Sequence, residues 1–430
     1  MRLTVVGAGY VGLTSALAFA SVGHEVVCVE RDPVRLARLL RREDPLAEQD
    51  VGDFLRVTSV RFVESDPDLD RAEMVLVAVG TPMRKDGQAD LTQVDAVARE
   101  IAYAARPGTV VTIRSTVPVG TCDRLQAGAL RHQIVVANPE FLREGRALAD
   151  TFAPTRIVAG GPVAARETVE ALYAPLRARG RRASDFVPLI WTTSRSAELA
   201  KYAANGFLAT KLSFVNEIAN LADAVGADAE SVLQAMALDP RIGAGYLRPG
   251  LGWGGSCFPK DTRALAALAA GEGYDFIVLR AAIEQNNRQL AQFARLIERE
   301  THAGATIGLL GLAFKAGTAD TRESPALALA RRLARTGRRV NAHDPAIRSM
   351  SDPAISRVDR DALGACTDAD AVVIATEWPE FAALDLCALR HVTRGDLLVD
   401  GRAIIDPAQA AAAGFRYRGV GGLSAGRWPD

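Results

Sequence analysis

Residues 3–23 carry no charged side chain, and within them an apolar run, Leu3–Val6, breaks at Gly7-Ala8-Gly9-Tyr10-Val11-Gly12 before the small, apolar stretch Leu13–Ser21. A four-residue apolar run closed by glycine predicts a buried strand, and the stretch beyond it predicts a helix packed on a sheet. A second strand is expected at Glu25–Glu30, and further ones at Met74–Val79, Thr109–Ile113 and Ile134–Ala137, with helical segments such as Leu91–Ala105 between them. Alternating strand and helix give a parallel, doubly wound sheet. The same opening could be read as a secretory leader cut after Ala18-Phe19-Ala20. Gly7, Gly9, Gly12 and Gly23 interrupt it, and strand, loop and helix account for it better.

From Ser196 to Ala224 the pattern predicts one long helix without proline, with Gly206 its weak interior point. Its small apolar residues, Ala197, Ala200, Ala203 and Ala204 among them, suit a closely packed spine or a dimer helix. After Arg299 the βα order repeats: strand Thr306–Leu310, helix Pro325–Thr336, and strand Arg339–His343 ending at Asp344. Two more apolar runs, Ala371–Ala375 and Leu397–Val399, complete a second sheet, with Arg402 just past the last. The predicted fold class is α/β: two Rossmann-like, doubly wound parallel-sheet domains joined by a central helical spine, with the substrate held between them. The expected divisions are residues 1–195, 196–298 and 299–430.

The 430 residues suffice for two or three domains with substantial cores. Fifty-one basic and 51 acidic residues balance to zero charge, which argues against nucleic acid or an anionic membrane as partner and leaves an anionic small ligand open. Only five of the basic residues are lysines: Lys85, Lys201, Lys211, Lys260 and Lys315. Where a compact ammonium is needed rather than a planar fork, lysine is the residue to keep. Five scattered cysteines, Cys28, Cys122, Cys257, Cys366 and Cys387, show no CxxC spacing. Neither a disulfide framework nor a metal site is indicated, and a reducing cytoplasm fits.

Three stretches carry chemistry. Gly7, Gly9 and Gly12 complete a GxGxxG that follows a strand and opens a helix, and acidic Glu30 answers it at the end of the next strand. That context predicts a dinucleotide whose ribose 2'-hydroxyl meets Glu30, hence NAD, although Arg31 and Arg35 leave a 2'-phosphate open. Second, the strand ends carry Thr81, Thr116, Glu140 and Glu144, where ligands of open α/β sheets bind. Third, Gly252-Trp253-Gly254-Gly255-Ser256-Cys257-Phe258-Pro259-Lys260-Asp261 sets one thiol behind a glycine run and ahead of a helix start. The glycines would let backbone approach a ligand, and the helix dipole would favour a thiolate at Cys257, so it reads as a nucleophile rather than a packed core cysteine. Asp261, four residues on, would share its face as acid, base or water holder. Lys201 and Asn205 likewise lie four apart. The loop Gly311–Thr318 with Lys315 and Arg322 stands where the second sheet lacks GxGxxG, and could bind another phosphate ligand.

These motifs, with Ser115-Thr116-Val117-Pro118-Val119-Gly120, Asn138–Glu144, Glu198–Asn205 and Gly311–Pro325, resemble the nucleotide-sugar dehydrogenases over nearly the whole chain. The resemblance implies a four-electron oxidation of a sugar's primary alcohol with two NAD in turn, through a thiohemiacetal and a thioester on Cys257. It implies that Thr116, Glu144 and Asp261 position or activate water, and that Lys201 and Asn205 stabilise oxyanions. For NAD it points to Val11, Glu30, Arg35, Thr81, Thr116, Glu144, Lys260 and Arg322. For the nucleotide sugar it points to Phe141, Leu142, Arg143 and Glu144, to Lys201 and Asn205, to Tyr246, Leu247, Arg248, Pro249 and Gly250, and to Gly254 and Lys315; Arg402 joins them. Arg241 resembles an arginine that reaches a neighbouring subunit's site, which implies a homodimer. Trp253 stands where the family has a smaller aromatic beside the sugar. Phe258 and Ser256 lean toward UDP-glucose over GDP-mannose and N-acetylhexosamine donors, and a dTDP-sugar stays open. Two other readings are a two-electron hydroxyacid-type dehydrogenase, which would not need Cys257, and a non-catalytic NAD-binding regulator, which would lack one of the catalytic residues.

Overall fold

The computed structural model describes residues 1–46, 48, 50–84, 86–178 and 187–420; Lys85 lies outside them. The chain divides into two compact units, Met1–Ala204 with Arg263–Gly273, and Asn205–Thr262 with Tyr274–Asp430.

The first unit is built on eight strands: β1 (Arg2–Val6), β2 (Glu25–Val29), β3 (Arg61–Val63), β4 (Met74–Val77), β5 (Val110–Ile113), β6 (Ile134–Ala137), β7 (Ile157–Gly160) and β8 (Leu189–Thr192). Their order is β3-β2-β1-β4-β5-β6-β7-β8, which opens with the 3-2-1-4-5-6 order of dinucleotide folds. The register sets Leu3 beside Val26 and Met74. Along β4, Met74 and Leu76 enter one core with Leu13, Leu17 and Phe19, whereas Val75 and Val77 enter another with Val94, Val97 and Ile101. Burial on both faces explains why these strands read as unbroken apolar runs. The helix begins at Tyr10 rather than Leu13, so the last three residues of the GxGxxG are its first turn. One expectation is corrected: the sheet is not wholly parallel, because β6 meets β7 antiparallel at Ala137 and Gly160.

The second unit carries β9 (Thr306–Leu310), β10 (Arg339–His343), β11 (Arg357–Val358), β12 (Ala371–Ile374), β13 (Leu397–Asp400) and β14 (Arg416–Gly419). Their order, β11-β10-β9-β12-β13-β14, repeats 3-2-1-4-5-6, and every pairing among them is parallel. The spine helix runs Ser194–Val225. Within the second unit its later turns pack on the helix Ile277–Glu300, where the Ser213 hydroxyl donates to Ala282 O at 2.8 Å and the Asn220 amide to Gln289 Oε1 at 2.8 Å. Among the described residues no helix is long and apolar enough to cross a membrane.

Candidate active site

The glycine loop of the first unit is shaped by its own packing. Gly7 has φ +99°, and a Cβ there would lie 2.7 Å from Ala78 O; at Gly12 one would lie 1.8 Å from Gly7 O. These two glycines close helix against strand. A Cβ at Gly9 would meet nothing within 4 Å, so its bareness serves approach from outside the fold. The helix it opens has neither a side-chain cap nor an acid in its first turn, which suits a phosphate at its positive end. Glu30 is buried; it accepts from Ala8 N at 3.1 Å, Asp32 N at 2.8 Å and Arg35 Nη1 at 3.0 Å. That uses three of about four acceptor positions on a carboxylate and leaves room for one hydroxyl. Arg35 is tied to Glu30 and Arg31 to Glu100, so both cations offered for a 2'-phosphate already hold acids. The residues present fit NAD.

The next strand ends are tied to each other. Thr81 donates to Thr116 O at 2.8 Å, and Ser115 to Val79 O at 2.6 Å. Beyond β6, Glu140 lies buried with Lys201 Nζ at 3.0 Å. Burial pushes the Glu140 carboxyl upward, but Lys201, the Leu142 N–H and Arg114 outweigh it and hold it below the usual carboxylate range. Arg143 is gripped by Asp150 at 2.6 Å, and the Phe141 ring lies beneath Arg156 at 3.8 Å and near Lys201 at 5.6 Å. Glu144 is partly buried; just past it, buried Glu48 accepts from Ala147 N at 3.2 Å. Glu198, one helical turn before Lys201, accepts from Gly120 N at 2.6 Å and Cys122 N at 2.8 Å, anchoring the spine to the loop after Thr116.

In the second unit Cys257 is exposed and sits immediately before the helix that starts at Phe258. Asp261 N donates to Cys257 O at 2.8 Å, which closes the first turn. The Asp261 side chain is buried and accepts from Asn205 Nδ2 at 2.6 Å and from Lys260 Nζ. Lys260, expected toward NAD, is therefore joined to Asp261. Cys28, Cys122 and Cys366 are buried, and burial pushes their thiols up, so they are inert beside Cys257.

The glycines of this loop serve a different purpose from the one expected. A Cβ on Gly254 would lie 2.1 Å from Glu323 O, one on Gly255 would lie 2.7 Å from the Phe314 ring, and one on Gly252 would lie 2.7 Å from Asn286 Oδ1. They admit protein rather than ligand, and they bring the Cys257 loop against the Gly311–Pro325 loop. Trp253 likewise turns inward: it is buried, with Nε1 donating to Ser213 Oγ at 2.9 Å and its backbone N–H to Asn286 at 2.7 Å. The difference at this position therefore alters packing.

The nucleotide-sugar candidates of this unit cluster with that loop. Gly250 N donates to Asn216 at 2.8 Å and its carbonyl accepts from Gln289 at 2.9 Å, while its bare Cα faces Arg402. Arg402 donates to Ala375 O at 2.7 Å and Phe314 O at 3.1 Å, joining the loops after β12 and β9. Lys315 Nζ lies 5.5 Å from the Phe314 ring, and the Tyr246 ring lies 6.2 Å from that of Phe258. Tyr246 adopts φ +62°, Leu247 is buried, Pro249 is partly buried and Arg248 is exposed. Asp344 matches Glu30 in place but takes Leu312 N at 2.8 Å, Ala313 N at 3.0 Å and Trp378 Nε1 at 3.3 Å, so this sheet's acid serves its own loop. Arg322 is held by Asp320, and the exposed Arg241 by Asp239. Sequence reasoning gave no role to Arg114, Asn216, Asn286 or Gln289. They lie outside any glycine or cysteine motif, and only their partners reveal them.

A glycine loop with an answering acid and two sheets of dinucleotide order define a protein of the NAD-dependent dehydrogenase class. Three models of the UDP-glucose/GDP-mannose dehydrogenase family match in succession: the NAD binding domain at residues 1–177, the central domain at 195–288 and the UDP binding domain at 308–407. The chain is 43% identical to the UDP-glucose 6-dehydrogenase of Pseudomonas aeruginosa, over 99% of its own length and 98% of that protein's. It is 42% identical to that of Rhizobium meliloti, over 98% and 99%. Among solved structures, a UDP-glucose dehydrogenase from Pyrobaculum islandicum superposes with TM-score 0.88 at 36% identity, covering 98% of each chain. A UDP-D-ManNAc dehydrogenase from Pyrococcus horikoshii gives 0.84 at 28%, covering 98% of this chain and all of that one. The chain belongs to the UDP-glucose/GDP-mannose dehydrogenase family.

Proposed function

We propose that this protein oxidises the C6 alcohol of UDP-glucose to the carboxylate, giving UDP-glucuronate. The observation that carries the chemistry is Cys257, an exposed thiol at the start of a helix whose first turn carries Lys260 and the buried Asp261, the latter bonded to Asn205 of the spine helix. NAD held at the Gly7–Gly12 loop would supply the hydride acceptor, a fresh molecule for each of the two oxidations. Cys257 adds to the C6 aldehyde as a thiohemiacetal; loss of the second hydride leaves a thioester, and water cleaves it to acid and thiol. Lys201 and Asn205 are the oxyanion donors, and Asp261, Glu144 and Thr116 serve the water. Glu30, Arg35 and Thr81 hold NAD. Arg402, Lys315 and the loop from Tyr246 to Gly250 hold the nucleotide sugar.

The three successive family matches support the functional division at 1–195, 196–298 and 299–430. A homodimer is supported by the spine helix, where Phe207 (69% exposed), Phe214 (50%), Leu221 (57%) and Val225 (68%) make an apolar stripe at spacings of seven, seven and four. Arg241, exposed beyond that helix, is our candidate for reaching the partner's site. An odd number of scattered cysteines with no CxxC spacing supports a reducing, cytoplasmic setting.

The test counts NADH at 340 nm per sugar consumed, with UDP-glucose, dTDP-glucose, GDP-mannose and UDP-N-acetylglucosamine in parallel. Two NADH per UDP-glucose are expected, and Cys257→Ser is expected to stop formation of the acid. One NADH per sugar would replace the thioester route with a two-electron dehydrogenase, acid formed by Cys257→Ser at the wild-type rate would remove Cys257 from the route, and preference for another donor would change the substrate.

A further inference from the structure

Arg114 directly follows β5, two residues before Thr116, and is buried in the first unit at 6% exposure. Its hydrogen bonds reach three separate elements, and each partner is neutral. Nε donates to Ser15 Oγ at 3.1 Å on the first helix, and Nη1 donates to Asn138 Oδ1 at 3.3 Å and to Tyr173 OH at 2.8 Å. The Tyr173 hydroxyl donates in turn to Asn138 Oδ1 at 2.6 Å, and Asn138 Nδ2 donates to Val158 O at 2.8 Å. A guanidinium buried among neutral acceptors is costly, so its retention calls for a use.

Asn138 lies two residues before Glu140, so the network fixes the chain that delivers Glu140 to Lys201. Glu140 faces Arg114 from β5 and Lys201 from the spine helix. On its own loop stand Arg143, held by Asp150, and Glu144, while Arg156 covers the neighbouring Phe141 ring. Two buried cations thus surround one buried carboxylate, and the excess positive charge suits a place where an oxyanion develops.

We infer that Arg114 is a positioning residue: through Ser15, Asn138 and Tyr173 it locks the ends of β5 and β6, which carry Thr116 and Glu140–Glu144, and its positive charge faces the Glu140 carboxylate that holds Lys201 in place. This rests on the activity proposed above. A mere strut would affect turnover equally at every pH, whereas this role moves the acid limb of the profile.

The experiment measures kcat against pH 3.5–9 at saturating UDP-glucose and NAD for wild type, Arg114→Met, Arg114→Lys, Asn138→Asp and Glu140→Gln. Arg114→Met is expected to move the acid limb upward, because it removes an opposite charge near the carboxylate. Arg114→Lys should keep the wild-type limb, and Glu140→Gln should abolish it. If Arg114→Met does not fold, Asn138→Asp, which neutralises Arg114 at nearly constant volume, should give the same upward move. A limb unmoved in whichever of these two variants folds, or a limb that survives Glu140→Gln, would overturn the inference while leaving the activity intact. A wild-type enzyme silent on UDP-glucose would instead sink the proposed function.

Discussion

Replacing Lys201 by methionine keeps the length of the side chain and removes its charge. Lys201 is 3% exposed and its ammonium lies 3.0 Å from Glu140 Oε1, so the substitution leaves a carboxylate buried without its nearest counter-ion. Breaking a buried pair from one side costs about 3–5 kcal/mol. For a unit of this size that is a melting temperature lower by roughly 6–20 °C. The pH dependence gives the sharper check. In the wild type, Glu140 is held below its ordinary value of about 4.3. Its contribution to stability is therefore complete above that value and is lost only as pH falls through the lowered one. Without Lys201 the upward push of burial takes over, so the folded state binds the proton more readily than the unfolded one. The penalty is then full at neutral pH and is relieved on acidification. Scanning calorimetry from pH 7.5 to 5 should show the gap between wild type and Lys201→Met narrowing steadily, and Lys201→Met with Glu140→Gln should recover most of the loss at neutral pH without recovering turnover. A deficit independent of pH, or one untouched by Glu140→Gln, would refute the reasoning and make Lys201 a packing residue.

Two further predictions concern the second unit. Gly254→Ala places a Cβ 2.1 Å from Glu323 O and 2.7 Å from Pro325 Cδ. Overpacking of this kind costs about 1–3 kcal/mol, and the displaced loop should lower kcat at least ~10-fold; Gly245→Ala, whose Cβ would meet nothing within 4 Å, should change neither in the same melting and turnover assays. Asp223 is pushed up to about 6 by burial, which Arg418 only partly offsets. The folded state therefore holds a proton that the unfolded state has lost between about pH 4 and 6, and the penalty is complete above 6. Asp223→Asn should raise the melting temperature at pH 7.5 and leave it nearly unchanged at pH 4.5; equal effects at both would refute the assignment.

The outlines of the elements were legible because both sheets are buried on two faces. Strands such as Met74–Val77 and Ala371–Ile374 are unbroken apolar runs, and glycines or turn residues mark their ends. Five strands escaped notice: β3 and β11 have three and two residues, β8 and β14 are only partly buried along their length, and β7 is buried throughout but offers only three apolar residues before Gly160. The glycines of the Cys257 segment showed that something approaches closely, but not what. Gly254 and Gly255 receive Glu323 and Phe314, residues some 60–70 positions away in sequence. The resemblance sets Trp253 beside the sugar; the hydrogen bond from its indole to Ser213, 40 positions earlier, is visible only in the packed structure.

By itself the sequence determined the chemistry available: a thiol ahead of a helix, a glycine loop answered by an acid, and lysine kept where a compact cation is useful. Those features are local, set by backbone freedom and spacing over a few residues. Tertiary structure alone decided which charges are paired. Glu140 meets Lys201 across 61 positions and Asp261 meets Asn205 across 56, while Arg114 is surrounded by Ser15, Asn138 and Tyr173. A buried charge takes its strength from desolvation and from the nearest opposite charge, and both are properties of the packed interior rather than of neighbouring residues in the chain.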